Sequence, residues 1–161
     1  MHQIDLDSFD IAILNQLQAN ARLASVAMAE AVHLSASQIT RRLKRLEETG
    51  VIRRYAALLE PAALGLGLMA FTNVSLDVQT KETAREFHHA MQKLPAVLEC
   101  YSTTGDADFL LKIIARGLAA FSDLLMNDIM PLAHVRNVRS SIVLNELKST
   151  TVLELERVVV R

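Results

Sequence analysis

The 161-residue sequence contains no tryptophan, one cysteine and three prolines, and its formal net charge at pH 7 is −1. A single cysteine cannot form a disulfide within the chain, which excludes a disulfide scaffold. The apolar neighbours of Cys100 predict a packed thiol on a strand rather than a nucleophile. A near-zero net charge gives no overall attraction to nucleic acid, so such binding can be predicted only from local clusters of basic residues.

The sequence also has no apolar stretch near the ~18 residues that a membrane helix needs, and no charged and apolar pattern of a secretory signal at its start. We therefore expect a cytoplasmic protein without a membrane segment. A hydrophobic content of 51% is ample for a packed core, so disorder is not expected. The length fits one ordinary domain or two small ones.

Two short helices are predicted in the first third of the chain. Asp7 can cap the first helix, and Asp10 places a negative charge near the positive end of its dipole. Ser25 is the expected cap of an alanine-rich second helix, which ends near His33. Alanine allows close packing between helices, so these two helices are expected to pack together.

A third helix follows after a very short turn. Ser35 and Gln38 have the spacing of a capping box, and Gly50 suits the left-handed residue that follows a helix. One face of this helix is apolar, and it comprises Ile39, Leu43 and Leu46.

The opposite face of this helix carries short polar residues first and cations after them. A helix that enters the DNA major groove needs this arrangement, because polar side chains and an arginine reach base edges while later cations contact phosphates. Arg42 lies nearer the core edge, where packing or phosphate contact is expected. The candidate DNA contacts on this helix are Ser35, Ser37, Gln38, Thr40, Arg41, Arg42, Lys44 and Arg45.

The segment 51–59 is predicted to be extended, as a wing beside the helices. Its cations Arg53 and Arg54 are candidate contacts to backbone phosphates. The alternative for the basic run at 41–45 is an ordinary solvated helix face. Two short helices, a tight turn and a basic helix with an apolar back instead favour a helix-turn-helix.

A resemblance to the Lrp/AsnC (feast/famine) transcription regulators rests on two separate parts of the chain. The N-terminal part comprises residues 6–14, 20–22 and 34–52. The C-terminal part is Glu99-Cys100 followed by residues 105–112, similar to an effector-loop motif that is normally Gly-Asp-Phe-Asp-Tyr. The resemblance implies a DNA-binding regulator that responds to a small effector, with an amino acid expected and no cofactor or metal.

The sequence departs from the family pattern at three places. His33 stands where the family usually has glycine, and Ala107 and Phe109 replace an aromatic residue and a tyrosine. Leu-Ala-His-Val at 132–135 replaces Leu-Pro-Gly-Val. The smaller Ala107 predicts more room in the loop, and therefore an apolar amino acid of medium or larger size.

The second half of the chain predicts a ferredoxin-like domain. The expected order is a strand at 68–78, a helix capped by Thr80 and ended by Pro95, strands at 97–104 and 108–115, a helix at 119–130 and a strand at 135–147. A further strand is predicted at 152–160, and His88 is expected to be packed on the apolar stripe of the first of these helices. The predicted fold class is α+β, with a winged helix-turn-helix domain at 1–60, a hinge at 61–67 and a ligand-binding and oligomerisation domain at 68–161.

A small sheet with helices on one face needs a cover for the other face, and a second subunit is the simplest one. A dimer would present two recognition helices to a palindromic operator with half-sites about 10 base pairs apart. The family resemblance implies further assembly to a tetramer or octamer.

An effector pocket is expected around the turn at Gly105. Asp106 and Asp108 offer acceptors for an ammonium group, and the nearby backbone amides offer donors for a carboxylate. The alternative is an ordinary hairpin with polar turn residues. The candidate effector contacts are Tyr101, Ser102, Thr104, Gly105, Asp106, Ala107, Asp108, Arg139, Ser140, Ser141 and Ile142, of which the last four match family positions.

Two other functions compete with this hypothesis. Haem-pathway decarboxylases resemble the same two-domain family, but the histidines show no metal-ligand spacing and no nucleophile has an evident base. These histidines are His2, His33, His88, His89 and His134. The other alternative is an effector-binding or assembly protein that no longer binds DNA, against which the intact cap, apolar stripe and basic face of residues 35–50 argue.

Overall fold

The computed structural model describes residues 5–155, and the chain divides into two compact units. One unit comprises the chain up to Leu58 together with the segment from Lys148 onward, and the other comprises Leu59–Leu147. The segment from Lys148 thus groups with the first unit, whereas the sequence grouped it with the second. The predicted domain boundaries and the hinge at 61–67 otherwise stay predictions. His2 and residues 156–160 of the predicted tail strand lie outside the described residues.

The first unit contains three helices, α1 at Ser8–Ala19, α2 at Ser25–Val32 and α3 at Ala36–Glu48. The predicted capping role of Asp7 is confirmed, since its carboxylate accepts from the Asp10 backbone N–H at 2.9 Å. The predicted cap by Ser25 is wrong. Ala24 is the residue with extended backbone before α2, so Ser25 is already helical and its side chain does not cap.

A left-handed residue joins α2 to α3. His33 has φ 56°, and the N–H of Leu34 donates to the carbonyl of Ala29 at 3.0 Å. This geometry explains why a glycine is suited to the position. The helices bury a common apolar core made of Ile13, Leu14, Met28, Ala29, Val32, Ile39 and Leu46.

The two segments that flank the second unit contain no regular strand. Residues 53–60 form neither helix nor strand, so the predicted extended wing pairs with no other strand among residues 5–155. Residues 148–155 also form no strand, and the predicted tail strand is therefore wrong over 152–155. Gln18 on α1 instead holds the backbone of Leu153 with two hydrogen bonds of 2.7 and 3.0 Å. Leu155 packs against the helical core.

The second unit is a four-stranded antiparallel sheet in the order β2-β3-β1-β4 with helices on one face. The strands are β1 at Leu68–Leu76, β2 at Val97–Ser102, β3 at Phe109–Ala115 and β4 at Val135–Ile142. The helices are α4 at Lys81–Met91 and α5 at Leu118–Leu124, and a π-helical turn at Leu125–Ile129 continues α5. This order confirms the ferredoxin-like domain and the α+β class.

The core of the second unit lies between the sheet and its helices. Phe87 of α4 stacks on Phe109 of β3 with ring centroids 4.5 Å apart. The buried set comprises Ala70, Val74, Leu76, Phe87, Met91, Phe109, Leu111, Ile113, Ala115, Phe121 and Ile129. The described residues include no helix with the length and apolarity needed to cross a membrane.

Several predicted boundaries in the second unit are too long. β1 ends at Leu76, and β4 ends at Ile142, which pairs with Ala70 of β1. Leu144 and Leu147 are accordingly about nine-tenths exposed. α4 ends four residues before Pro95.

His88 is exposed, so its predicted packing is wrong. Phe87 and Met91 occupy the buried positions of α4. His88 follows Phe87 directly and is therefore turned by about 100° around the helix, away from the buried stripe.

Candidate nucleic-acid interface and effector pocket

The outer face of α3 is exposed, whereas Ile39 and Leu46 on its inner face are fully buried. Ser37, Arg41 and Lys44 are all exposed on this helix. Lys44 lies 3.7 Å from Glu48 one turn later, and both side chains are more than three-fifths exposed. The structure thus brings a short polar residue and two cations to one surface.

Three predicted contacts at the start of α3 bond to the helix itself. Ser35 Oγ accepts from the Gln38 backbone N–H at 3.3 Å, and Gln38 Oε1 accepts from the Ser35 backbone N–H at 2.9 Å. Thr40 Oγ1 donates to the carbonyl of Ala36 at 3.0 Å. These bonds fix the start of the helix, although all three side chains remain exposed.

Arg42 and Arg45 bind two carboxylates of α1. Arg42 Nη1 lies 2.8 Å from both Asp7 Oδ2 and Asp10 Oδ1, and Arg45 Nη2 contacts Asp10 Oδ2. Asp10 is fully buried. The Arg42 guanidinium also lies 5.4 Å from the ring centroid of Phe9, and these contacts support the packing role foreseen for Arg42.

The ion pairs shift the pKa values of two members of this cluster. Burial alone would raise the pKa of Asp7, but hydrogen bonds from the Asp10 backbone and from Arg42 lower it overall. Burial alone would lower the pKa of Arg42, but its bonds to Asp10 and Asp7 raise it overall. The charged form of each group is therefore the one that the fold stabilises.

Sequence reasoning missed the role of Asp10. It assigned this residue only a helix-dipole effect, and it treated Arg45 as a surface cation. A signal existed, because two acids three residues apart, at the cap and in the first turn of α1, match two arginines three residues apart on α3. Neighbours at this spacing share a helix face.

Arg53 and Arg54 are exposed in the segment after α3. The nearby Tyr55 hydroxyl donates to Glu47 Oε1 at 2.8 Å, which connects this segment to the last turn of α3. Burial and the Glu47 carboxylate together raise the pKa of Tyr55 to about 12, so the phenol remains a donor at neutral pH.

A cavity of about 420 Å³ lies on the face of the sheet opposite the helices. It brings together four of the predicted effector residues, Thr104, Asp106, Ala107 and Arg139. Its other lining residues were missed, and they are Asn73, Ser75, Thr103, Leu110 and Asn137. Strand pairing explains them, since Asn73 lies opposite both Leu110 and Arg139, and Ser75 lies opposite Asn137. That register is set by tertiary structure and has no local sequence signal.

The loop between β2 and β3 forms one wall of this cavity. Gly105 has φ +115°, a conformation that side chains disfavour. Thr103 Oγ1 donates to the Ala107 carbonyl at 2.8 Å, and Ser75 Oγ donates to the Asp106 carbonyl at 3.3 Å. The loop is therefore held against β1, and Asp106 lines the cavity.

Asp108 lies away from this cavity. Its carboxylate accepts from the Leu76 backbone N–H at 2.7 Å and from the Gln79 side chain, so it fastens the loop to the end of β1. Asp108 and Ser102 line a separate cavity of about 390 Å³ beside the start of α4.

The other predicted effector residues do not line the first cavity either. Tyr101 donates to Glu99 Oε2 at 2.6 Å, and the Ser140 hydroxyl lies 2.9 Å from that of Thr72. Ser141 and Ile142 are exposed near the end of β4, and Gly105 shapes the loop without lining the cavity.

The described residues contain no group of three or more His, Cys, Asp or Glu side chains placed to hold a metal ion. Cys100 is partly buried against the sheet core, and burial raises the pKa of its thiol. A raised thiol pKa disfavours the reactive thiolate, which agrees with the expected packing role.

Comparisons with known proteins cover both units. The winged helix-turn-helix DNA-binding family matches residues 6–53, and the Lrp/AsnC ligand binding domain family matches residues 69–153. The leucine-responsive regulatory protein of Rhizobium meliloti is 36% identical over 153 residues, which cover 95% of this chain and 98% of that protein. The leucine-responsive regulatory protein of Escherichia coli K12 is 34% identical over 94% of this chain and 93% of its own length.

Solved structures of other proteins are similar to this chain over more than nine-tenths of its length. A transcriptional regulator of Neisseria meningitidis, solved as a complex with L-Met, is 42% identical with a TM-score of 0.88, and the match covers 93% of this chain and 97% of that one. An AsnC family transcriptional regulator of Agrobacterium tumefaciens is 32% identical with a TM-score of 0.87, over 92% and 97% of the two chains. These relatives carry the names of regulators rather than of enzymes. With the exposed basic helix and the cavity on the sheet, the matches show that the chain belongs to the Lrp/AsnC family of DNA-binding transcription regulators, with a ligand-binding domain.

Proposed function

We propose that α3 enters the major groove of operator DNA and that binding responds to an apolar amino acid held on the sheet of the second unit. The exposed polar and basic face of α3 carries the DNA part of this proposal. Ser37 and Arg41 lie where they can reach base edges, and Lys44 contacts a phosphate. Arg53 and Arg54 add phosphate contacts beyond the helix.

The operator is a palindrome read by a homodimer. Among the described residues of the second unit, no helix packs on the face of the sheet that bears the cavity, and the side chains of Phe71 and Tyr101 there are 38% and 51% exposed. A second subunit would cover these side chains and place two recognition helices on successive half-sites. Further assembly to a tetramer or octamer follows from the family and gives the effector a contact between subunits to act on.

The effector is an amino acid bound in the cavity of about 420 Å³, a volume within the usual range for small-molecule sites. Arg139 pairs with the ligand carboxylate and Asp106 with its ammonium group. Leu110 and Ala107 contact the apolar side chain. Methionine and leucine are the first candidates, because one relative was solved with L-Met and others are named leucine-responsive.

The DNA part is tested by the affinity of the protein for the region upstream of its own gene. Arg41→Ala abolishes specific binding, and rising salt weakens the binding of the unmodified protein. Arg85→Ala is the matched control, since Arg85 is an exposed arginine on α4. Unchanged affinity in Arg41→Ala contradicts the assignment of α3 as the recognition helix.

The effector part is tested by thermal shift with each of the twenty amino acids. A ligand at 100 times its Kd stabilises the protein by about 2.7 kcal/mol. Asp106→Asn and Arg139→Gln remove the shift, whereas Arg136→Gln on the same strand leaves it, because Arg136 does not line the cavity. No shift with any amino acid contradicts the proposal.

A further inference from the structure

The Asp10 carboxylate connects α1 to α3 at the base of the proposed DNA-binding surface. Oδ1 accepts from Arg42 at 2.8 Å, and Oδ2 accepts from Arg45 and from the Asp7 backbone N–H at 3.1 Å. The side chain of Asp10 is fully buried. These donors therefore take the place of water around its carboxylate.

The two arginines that bind this carboxylate differ in how much of their side chains is exposed to solvent. Arg42 is shared between Asp7 and Asp10, and only 19% of its side chain is exposed. Arg45 uses one nitrogen for Asp10, and 46% of its side chain is exposed. A guanidinium carries five N–H donors, so Arg45 can bind Asp10 and a phosphate oxygen at the same time.

A purely structural ion pair is the simpler alternative. In that case Asp10 stabilises the fold but opposes DNA binding, because its negative charge lowers the attraction of the surface for phosphates. A positioning role predicts the opposite sign. An arginine whose guanidinium is already held by a carboxylate loses less conformational freedom when it binds a phosphate. This smaller entropy loss favours the complex with DNA.

We infer that Asp10 is a positioning residue for DNA binding, which fixes α3 through Arg42 and holds the guanidinium of Arg45 at the exposed edge of the helix to bind a backbone phosphate. This inference rests on the proposed DNA-binding surface of α3. It adds a buried acid to a surface that otherwise consists of exposed polar and basic residues.

The sign of the charge effect gives the first test, with a random-sequence DNA duplex several helical turns long as the probe. Asp10→Asn removes one negative charge from the protein yet weakens binding by about tenfold, equal to about one lost charge-assisted hydrogen bond. Glu48→Gln makes the same change of charge on the exposed end of α3 and strengthens binding. Equal or tighter binding by folded Asp10→Asn overturns the inference.

The salt dependence of the same binding tests Arg45. Arg45→Gln reduces the slope of log K against log salt by about 0.9 for each chain in contact, the value for one phosphate contact. The exposed Arg85→Gln on α4 leaves the slope unchanged. In a double-mutant cycle, Asp10→Asn weakens binding less once Arg45 is Gln, because part of the effect of Asp10 passes through Arg45.

Far-UV circular dichroism checks whether Asp10→Asn folds. If it does not, Arg45→Gln provides the test, because Arg45 is partly exposed. An unchanged salt slope in Arg45→Gln then overturns the inference. Failure of the α3 assignment is recognised separately, because Arg41→Ala would then bind the upstream DNA like the unmodified protein.

Discussion

The two units use charge in different ways. Among residues 5–155, the ion pairs that include a fully buried side chain all lie in the first unit, where Asp10 meets Arg42 and Arg45. The pair between Lys112 and Glu99 in the second unit is partly exposed, with an N–O distance of 3.4 Å. The first unit therefore adds specific electrostatic contacts between α1 and α3 to its apolar core, whereas the second unit has an apolar core between the sheet and its helices.

The largest expected effect separates these two kinds of ion pair. Arg42→Gln removes one of the two cations that bind the buried carboxylate of Asp10. It lowers the free energy of unfolding by about 3 kcal/mol. Lys112→Gln breaks the pair in the second unit and costs less than about 1 kcal/mol, because water solvates both partners. Urea unfolding of both variants measures the difference. Equal losses would show that the two units do not differ in this respect.

The sequence predicted the first unit closely because its signals are local. The cap at Asp7, the box of Ser35 and Gln38, and the apolar stripe of α3 all depend on residues within one or two turns. The error at Ser25 is also local, since a serine before an alanine-rich helix serves as cap or as first helical residue depending on the backbone of Ala24. The contact from Asp10 to α3 joins residues more than thirty positions apart, and propensity cannot predict it.

In the second unit, local signals predict the order of the elements but not the residues that line the cavity. The order of strands and helices follows from alternation and caps, yet the cavity depends on which residues of β1, β3 and β4 lie opposite one another. Asn73 and Ser75 were missed for this reason. Asp108 was assigned to the ligand by its motif, whereas its carboxylate binds the end of β1.

Among residues 5–155, each unit holds one histidine in the left-handed region, and the two variants with glycine there should differ in stability. His33 has φ 56° and no side-chain hydrogen bond to the described residues, whereas His134 has φ 68° and its Nδ1 lies 3.1 Å from Asp77 Oδ1. A left-handed conformation costs a non-glycine residue about 1 to 2 kcal/mol, and the flexibility of glycine offsets part of this gain.

We therefore expect His33→Gly to raise the free energy of unfolding by about 0.5 to 1 kcal/mol. His134→Gly should change it little, since the relief of strain is offset by loss of the Asp77 contact. Urea unfolding at pH 7 compares the two variants. A larger gain from His134→Gly would show that the Asp77 contact contributes nothing.

The smallest expected effect concerns the acid side of the charge cluster in the first unit. The pKa of Asp7 is lowered in the folded chain by the Asp10 backbone and Arg42, despite partial burial. A lowered pKa means that the stabilisation is complete above the unfolded value of about 4 and is lost as the pH falls through the folded value. Asp7→Asn keeps a capping side chain but removes the charge, so it isolates this contribution.

The variant should be less stable than the unmodified protein by below about 1 kcal/mol at pH 7, because half of the Asp7 side chain is exposed. The difference should shrink as the pH falls below about 4, because the unfolded chain then binds a proton at Asp7 before the folded chain does. Urea unfolding of both proteins from pH 7 to pH 3 measures it. A difference that stays constant over this range would mean that Asp7 acts only as a cap, and the electrostatic cluster would then consist of Asp10 and its two arginines alone.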